Sequence, residues 1–384
     1  MNTVMKPGLY VHVPFCRSRC PFCSFAITTE LDAAGAWRRA VEREAVLRAP
    51  EWRSAFETVY LGGGTPSLLG AEGIASLLGF LRASFSVEAG AEVTVEANPG
   101  DLGPRDFARL VADGVNRFSL GVQSFSEDDL KFLGREHSVE DSLASFAAAR
   151  AAGVENITID LIYGLPGRSL DVWCAQIYRA VGLGPDHISA YSLTYEPGTV
   201  LARRRDRGEV GEPSEEESRD LLLLTAERLA EAGYEQYEVS SFARGERFQS
   251  RHNRKYWDGA PYLGLGPSAH SFRSPERWWN AARSRDYIRL LDSGSDPIAG
   301  RETLSLDERR LERLALALRT ARGLRLDAFS AEFGADLRRT HRALLDSLIA
   351  ERLLVAEAEV LRPTMRGMAV ADGIAVRLSE SRLP

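Results

Sequence analysis

Strand-length apolar runs alternate with amphipathic helical stretches through the first 240 residues of this 384-residue chain, and no other feature restricts its fold as much. The strand runs are Leu9–Val13, Thr58–Leu61, Glu92–Glu96, Arg117–Val122, Asn156–Ile162 and His187–Thr194. Helical spacing follows each of them, over Ala33–Arg48, Ala71–Ala83, Pro104–Asp113, a two-part stretch reaching Ala152, Leu170–Leu183 and Glu215–Ala232. Six strand–helix units in series specify an α/β fold with parallel strands and crossover helices. An open doubly wound sheet and a barrel share this periodicity. The placement of the unusual residues favours a barrel. Cys16, Gly62–Thr65, Glu96, Gln123, Asp160 and Tyr191 fall at or just after the C-terminal ends of the strand runs, and barrels draw on many strand ends at once. The expectation is a partial (β/α)6 barrel over residues 1–240.

Beyond the barrel, residues 241–302 read as a connecting segment and 303–384 as a small domain. In the latter, Leu304–Arg322 and Leu337–Leu353 have helical spacing, Leu354–Leu361 suits a hairpin, and Thr364–Leu378 suits a last helix, a winged-helix-like order. Within the barrel, the charge-rich segment Ala202–Glu217 reads as a solvated loop. Charge excludes one class of partner. With 48 Lys and Arg against 54 Asp and Glu the net charge is −6, and Arg301–Ala350 balances ten Arg against eight acids, so neither part offers a basic field for nucleic acid. No run approaches the roughly 18 uncharged apolar residues of a membrane span. The N-terminus enters its first strand without a small-residue cleavage site, and the expected location is the cytoplasm.

Cys16, Cys20 and Cys23 form C-x3-C-x2-C in the loop after the first strand, while Cys174 stands alone in a helical pattern and reads as a core residue. Three clustered thiols and one distant one do not make a disulfide framework. Soft thiolates hold iron–sulfur clusters or zinc, but structural zinc takes four ligands and no fourth Cys or His follows nearby. A four-iron cluster on three protein ligands leaves one iron open to a small molecule. Arg17 and Arg19 could lower the thiol pKa values.

At this motif the chain resembles the radical S-adenosylmethionine (SAM) superfamily, with Phe22 matching the aromatic residue before the last cysteine. Within it, the chain is similar to the oxygen-independent coproporphyrinogen III oxidase group and its heme chaperone branch. The similarity is carried by Tyr10–Phe15 (YVHVPF), Tyr60–Ser67 (YLGGGTPS), Thr94–Pro99 (TVEANP), Gly114–Phe125 (GVNRFSLGVQSF), Ile159–Pro166 (IDLIYGLP), Ile188–Thr199 (ISAYSLTYEPGT), Glu235–Ala243 (EQYEVSSFA) and Tyr262–Phe272 (YLGLGPSAHSF). The resemblance implies a [4Fe-4S] cluster on Cys16, Cys20 and Cys23, with SAM on the open iron and its adenine against Phe22. It implies that Tyr10 reaches the SAM carboxylate and sulfonium region, and that Gly63, Gly64 and Thr65 border the methionine part. Glu96, Gln123, Arg135 and Asp160 would line the rest of that site. Taken singly, Gly62–Gly64 is a tight turn, Glu96 or Asp160 a helix cap, and Gln123 and Arg135 surface residues.

His252-Asn253-Arg254-Lys255-Tyr256-Trp257 matches the HNxxYW heme motif of the chaperone branch, which implies heme on His252. His270 is a weaker candidate, and His12 reads as structural. The oxidase branch carries a further Cys two residues after the third cluster Cys, where this chain has Phe25, and it lacks HNxxYW. The chaperone branch commonly has an acid at Ser24. The implied function is a heme chaperone delivering heme to an apoprotein, with any membrane association peripheral and through that acceptor. The alternative is oxidative decarboxylation of coproporphyrinogen III.

Overall fold

The computed structural model describes residues 5–380. Six strands, β1 (Gly8–Val13), β2 (Phe56–Gly63), β3 (Val87–Ala97), β4 (Arg117–Gln123), β5 (Ile157–Tyr163) and β6 (His187–Ser192), lie parallel and side by side in chain order. Each crossover helix therefore returns the chain to the next position, which builds the partial barrel.

Alternate residues of these strands part company. Val59, Leu61, Val93, Val95, Phe118, Leu120, Ile159 and Ile188 are buried in the apolar core they share with the surrounding helices. Their neighbours Tyr60, Glu96, Ser119, Thr158, Asp160 and Ser189 face the barrel interior, which is an open cavity of about 830 Å³. Burying a Leu or Ile side chain is worth about 1.5–3 kcal/mol. The outer face thus supplies the stability, and the inner face forgoes it to hold polar groups. Lateral register then decides which of them meet: Tyr60 lies opposite Thr94, Glu96 opposite Ser119, and Asp160 opposite Ser189.

The sheet extends at both edges. Beyond β6, β7 (Glu235–Glu238) pairs antiparallel with β8 (Ser241–Ala243), which pairs antiparallel with β6; at the other edge β9 (Tyr262–Leu265) pairs parallel with β1. β10 (His270–Arg273), β11 (Glu276–Asn280) and β12 (Ile298–Thr303) continue antiparallel from β9 to complete twelve strands. The stretch 241–302, expected as a connection, thus contributes five short strands to this sheet. Its strand pattern is interrupted by turns at Ser274-Pro275 and by the helix Ser284–Asp292. The charged segment after Thr199 also differs from expectation. It opens with the helix Val200–Asp206, started by the Thr199 hydroxyl accepting from the Ala202 amide at 3.1 Å. Only then does it turn through solvent.

The C-terminal part is α/β as well. The helices Leu306–Ala317, Leu326–Phe333 and Arg342–Ala350 and a small sheet of β13 (Leu324–Arg325), β15 (Val360–Pro363) and β14 (Leu354–Glu357) enclose a second core around Leu314, Phe329 and Leu348. The expected last helix is two, Met365–Met368 and Ala371–Ser379. The helix Leu306–Ala317 packs against both Ala371–Ser379 and the barrel-side helix Arg251–Asp258. Among the described residues no helix is long and apolar enough to cross a membrane.

Candidate functional site

The loop after β1 carries Cys16, Cys20 and Cys23 over the C-terminal ends of the strands. It is tied down at several points: the Cys16 amide donates to Thr28 O at 3.0 Å, the Leu201 amide to Pro21 O at 2.8 Å, and the Arg19 guanidinium to the Ile27 carbonyl at 3.0 Å. All three thiols line the large cavity together with Phe22. Burial pushes the Cys16 thiol up, Thr65 and Arg135 pull it down, and the neighbouring Cys23 and Cys20 add to the rise. Among the described residues no three His, Cys, Asp or Glu side chains converge tightly enough for a single ion. A four-iron cube takes each thiolate on a different iron, and its ligand sulfurs stand further apart than those of a single-ion site. Three thiols around one cavity would suit such a cluster. Arg17 pairs instead with Asp101 at 3.0 Å; Arg19 pulls the Cys23 thiol down as expected, and Arg135 joins it, its Nη1 3.5 Å from Cys20 Sγ.

The wall below the loop is built from strand ends. Gly63 has φ +109°, and a side chain there would meet His12 at 2.4 Å; one at Gly64 would meet the Phe15 carbonyl at 2.7 Å. These glycines let the end of β2 pass directly beneath the cysteine loop. The Gly63 amide donates to Glu96 at 3.0 Å, and Thr65 Oγ1 lies 3.5 Å from Cys16 Sγ while accepting from Asn98 at 3.2 Å. Arg135 also bonds Asn98, and its buried Nε has no partner among the described residues. Gln123 sits at a bulge of β4 with φ +67°, a strained conformation for a non-glycine residue, and lines the cavity.

Two carboxyls dominate the interior. Glu96 is pushed up to about 7, first by burial and further by Asp160. Asp160 is itself raised by burial, against the pull of hydrogen bonds from Ser189 and Ser119, the latter at 2.8 Å. Enclosed carboxyls that are reluctant to ionise suit a cationic ligand, which would favour their charged forms.

Cys16, Cys20, Phe22, Cys23, Gly63, Gly64, Thr65, Glu96, Gln123, Arg135 and Asp160 thus share one cavity. Tyr10 does not line it. Its hydroxyl is 3.1 Å from His12 Nδ1, and its ring centroid lies 6.1 Å from that of Tyr60 and 6.2 Å from that of His252. His12 Nε2 meets the Ala26 carbonyl at 2.9 Å, so this histidine is a structural residue. The HNxxYW histidine is placed differently from the sequence expectation. His252 is 1 % exposed, with Nδ1 2.8 Å from Thr58 Oγ1 and Nε2 3.0 Å from the Tyr256 hydroxyl. A neutral imidazole has one N–H and one lone pair, and both are engaged here. As held, His252 has no nitrogen free for iron. His270 stacks on Trp279, and Cys174 is half-buried on the helix Leu170–Leu183, outside the cavity. Sequence reasoning passed over Asn98, Tyr60 and Ser119, which hold Arg135, Glu96 and Asp160. Period-two spacing from Glu96 and Asp160 across the register was the signal available for them.

The Radical SAM superfamily model matches residues 10–173, and the HemN C-terminal domain model matches 304–370. The chain is 39% identical over 374 residues to the heme chaperone HemW of Mycobacterium tuberculosis (strain ATCC 25618 / H37Rv), spanning 96% of this chain and 93% of the relative. It is 36% identical over 337 residues to the Synechocystis sp. heme chaperone HemW, spanning 84% and 81%. Among solved structures it is similar to the coproporphyrinogen III oxidase HemN of Escherichia coli, a radical SAM enzyme, with a TM-score of 0.84 and 25% identity over 98% of this chain and 91% of that one.

Proposed function

The chain belongs to the HemW family within the radical SAM superfamily, and from that membership we propose that it is a heme chaperone that carries a [4Fe-4S] cluster, SAM and heme and passes heme to an acceptor protein in the cytoplasm. The observation that carries the cofactor half is the single cavity shared by the three cysteines, Arg135, Glu96 and Asp160. Cys16, Cys20 and Cys23 would hold the cluster. When bound, the cluster and SAM supply one-electron chemistry. The chain's own residues do the rest: Glu96 would meet the SAM ammonium, Arg135 its carboxylate, Asp160 its ribose hydroxyls, and Phe22 its adenine.

Sequence identity of 39% across nearly the whole chain supports the chaperone half. The similarity to HemN favours a second reading, coproporphyrinogen III oxidation. Phe25 weighs against it. This side chain is 62% exposed at the mouth of the cavity, where it can neither ligate metal nor carry a proton.

The test is anaerobic reconstitution followed by two parallel assays. Heme loaded on the protein should move to an apo-hemoprotein, and coproporphyrinogen III should remain unconverted. Protoporphyrinogen formation at enzymatic rates would install the oxidase; heme that never leaves the protein would end the chaperone reading.

A further inference from the structure

The cavity that holds the cysteine loop at its rim continues down the barrel to a floor made by the N-terminal ends of three strands: Arg117 of β4, Thr158 of β5 and His187 of β6. Arg117 opens β4 and Gln123 closes it, a separation of about 20 Å at roughly 3.3 Å per residue. The groups assigned to the cluster and SAM stand above this floor.

The three floor side chains are linked, and each keeps a hydrogen to give. Arg117 Nη1 donates to Asn156 at 2.9 Å and to the Phe248 carbonyl at 2.8 Å. Nη2 donates one hydrogen to Thr158 at 2.7 Å, and its other has no acceptor among the described residues. Thr158 Oγ1 accepts that bond, while its own hydroxyl hydrogen has no acceptor among the described residues. Thr158 lies opposite His187 in the register. The Tyr237 hydroxyl accepts from the Ser250 amide at 3.2 Å and lies 2.8 Å from His187 Nε2. With no other acceptor for the tyrosine hydrogen, Nε2 receives it, and the imidazole proton is assigned to Nδ1. That nitrogen has no partner among the described residues, on a side chain 1 % exposed. Burial, and then the Arg117 charge, hold His187 well below its usual range, so it is a neutral donor. No carboxylate pairs with the buried Arg117 among the described residues, and a buried charge without a counter-ion is costly.

We propose that this floor is a binding subsite for a small monocarboxylate other than SAM, held by hydrogens from Arg117 Nη2, the Thr158 hydroxyl and His187 Nδ1. A carboxylate is acceptor-only and takes several donors on its two oxygens. The floor carries one positive charge, and Asp160, the next inward residue on β5, already feels it. That balance suits a monoanion and disfavours a doubly charged phosphate. The cavity of about 830 Å³ must also hold the cluster and SAM, so the floor ligand is small; this size limit alone rests on the function proposed above.

The experiment titrates the reconstituted full chain with acetate, acetamide and inorganic phosphate in separate calorimetric runs at constant ionic strength, with and without saturating SAM. Acetate should bind about tenfold more tightly than acetamide or phosphate, and SAM should not displace it. Thr158→Val keeps the side-chain shape and His187→Phe keeps a ring, and each should weaken acetate about tenfold. Thermal midpoints and SAM affinity verify that both variants fold. Equal acetate affinity in the wild type and both variants would overturn the subsite, as would a wild type that binds SAM and no acetate; the proposed function would stand in either case. Displacement of acetate by SAM would overturn it by giving the floor to the SAM carboxylate. Acetate binding with the expected losses in a protein that binds no SAM would instead remove the SAM reading and keep the floor subsite.

Discussion

The Tyr60 hydroxyl donates a 2.7 Å hydrogen bond to Glu96 across the adjacent strands β2 and β3. With the Gly63 amide on the other oxygen, the carboxyl is held rigidly at the cavity wall. Burial nevertheless pushes it up to about 7, so it stands half-protonated near neutrality.

A cationic ligand must therefore expel a proton from part of the population. We expect the SAM affinity of the wild type to rise from pH 6 to pH 8 more than that of Glu96→Gln, whose amide does not titrate. The ligand's own amine titrates alike in both, so the difference isolates Glu96. At pH 8 the variant should bind SAM about 10–100-fold more weakly, the worth of one charge-assisted hydrogen bond. Anaerobic calorimetry at the two pH values reads both effects; parallel profiles would take Glu96 out of the site.

The cluster assignment is tested by spectroscopy. Serine at Cys16, Cys20 or Cys23 should abolish the visible absorption of the reconstituted protein and its roughly four irons per chain. Cys174→Ala should retain both, because Cys174 lies on the helix Leu170–Leu183 and not in the cavity. Loss of iron in the Cys174 variant would break the three-ligand assignment.

What was legible in the sequence follows a physical division. Strand and helix periods, the cysteine spacing and the residues at strand ends are local signals, and the six parallel strands lie where those signals place them. Direction in space is not local. Tyr10 has the alternation of an inward residue and lies in register with Tyr60, but its hydroxyl turns to His12 and it does not reach the cavity lining. His252 meets Thr58 across 194 residues, a contact that depends on how one helix docks beneath β2. The strands of 262–303 were missed for a related reason: they are short, and they gain their partners only at the edge of a sheet built much earlier in the chain.

Glu44 gives a pH prediction for stability. Its carboxylate accepts from Tyr287 at 2.6 Å, Asn280 at 2.7 Å and the Gly266 amide at 2.9 Å, yet burial outweighs these and raises it from 4.5 to about 7. A raised carboxyl binds its proton more tightly in the folded state. Its stabilising share is thus complete below about 4.5 and lost as pH rises through about 7. Between pH 5 and pH 8 the thermal midpoint of the wild type should fall relative to that of Glu44→Gln. Scanning calorimetry of both proteins measures it, and a constant gap between them would show that Glu44 does not titrate in this window.

His252 yields the sharpest divergence from the sequence expectation. Burial, and then the Lys255 charge, lower it to about 3, so it is neutral throughout the physiological range and cannot report pH. Removing the ring strands the Thr58 and Tyr256 hydroxyls and opens a cavity, which together cost about 2–4 kcal/mol. His252→Ala should therefore lower the thermal midpoint by several degrees. The band positions of bound heme should stay those of the wild type, because both His252 nitrogens are already engaged by Thr58 and Tyr256. His252→Gln, which can return an amide to the Tyr256 hydroxyl, should recover part of the stability. Optical titration separates the two roles: loss of an axial ligand changes the spectrum of bound heme, whereas loss of a structural residue does not. A Soret band that shifts in His252→Ala would return the iron to His252 and require the bonds to Thr58 and Tyr256 to open when heme binds.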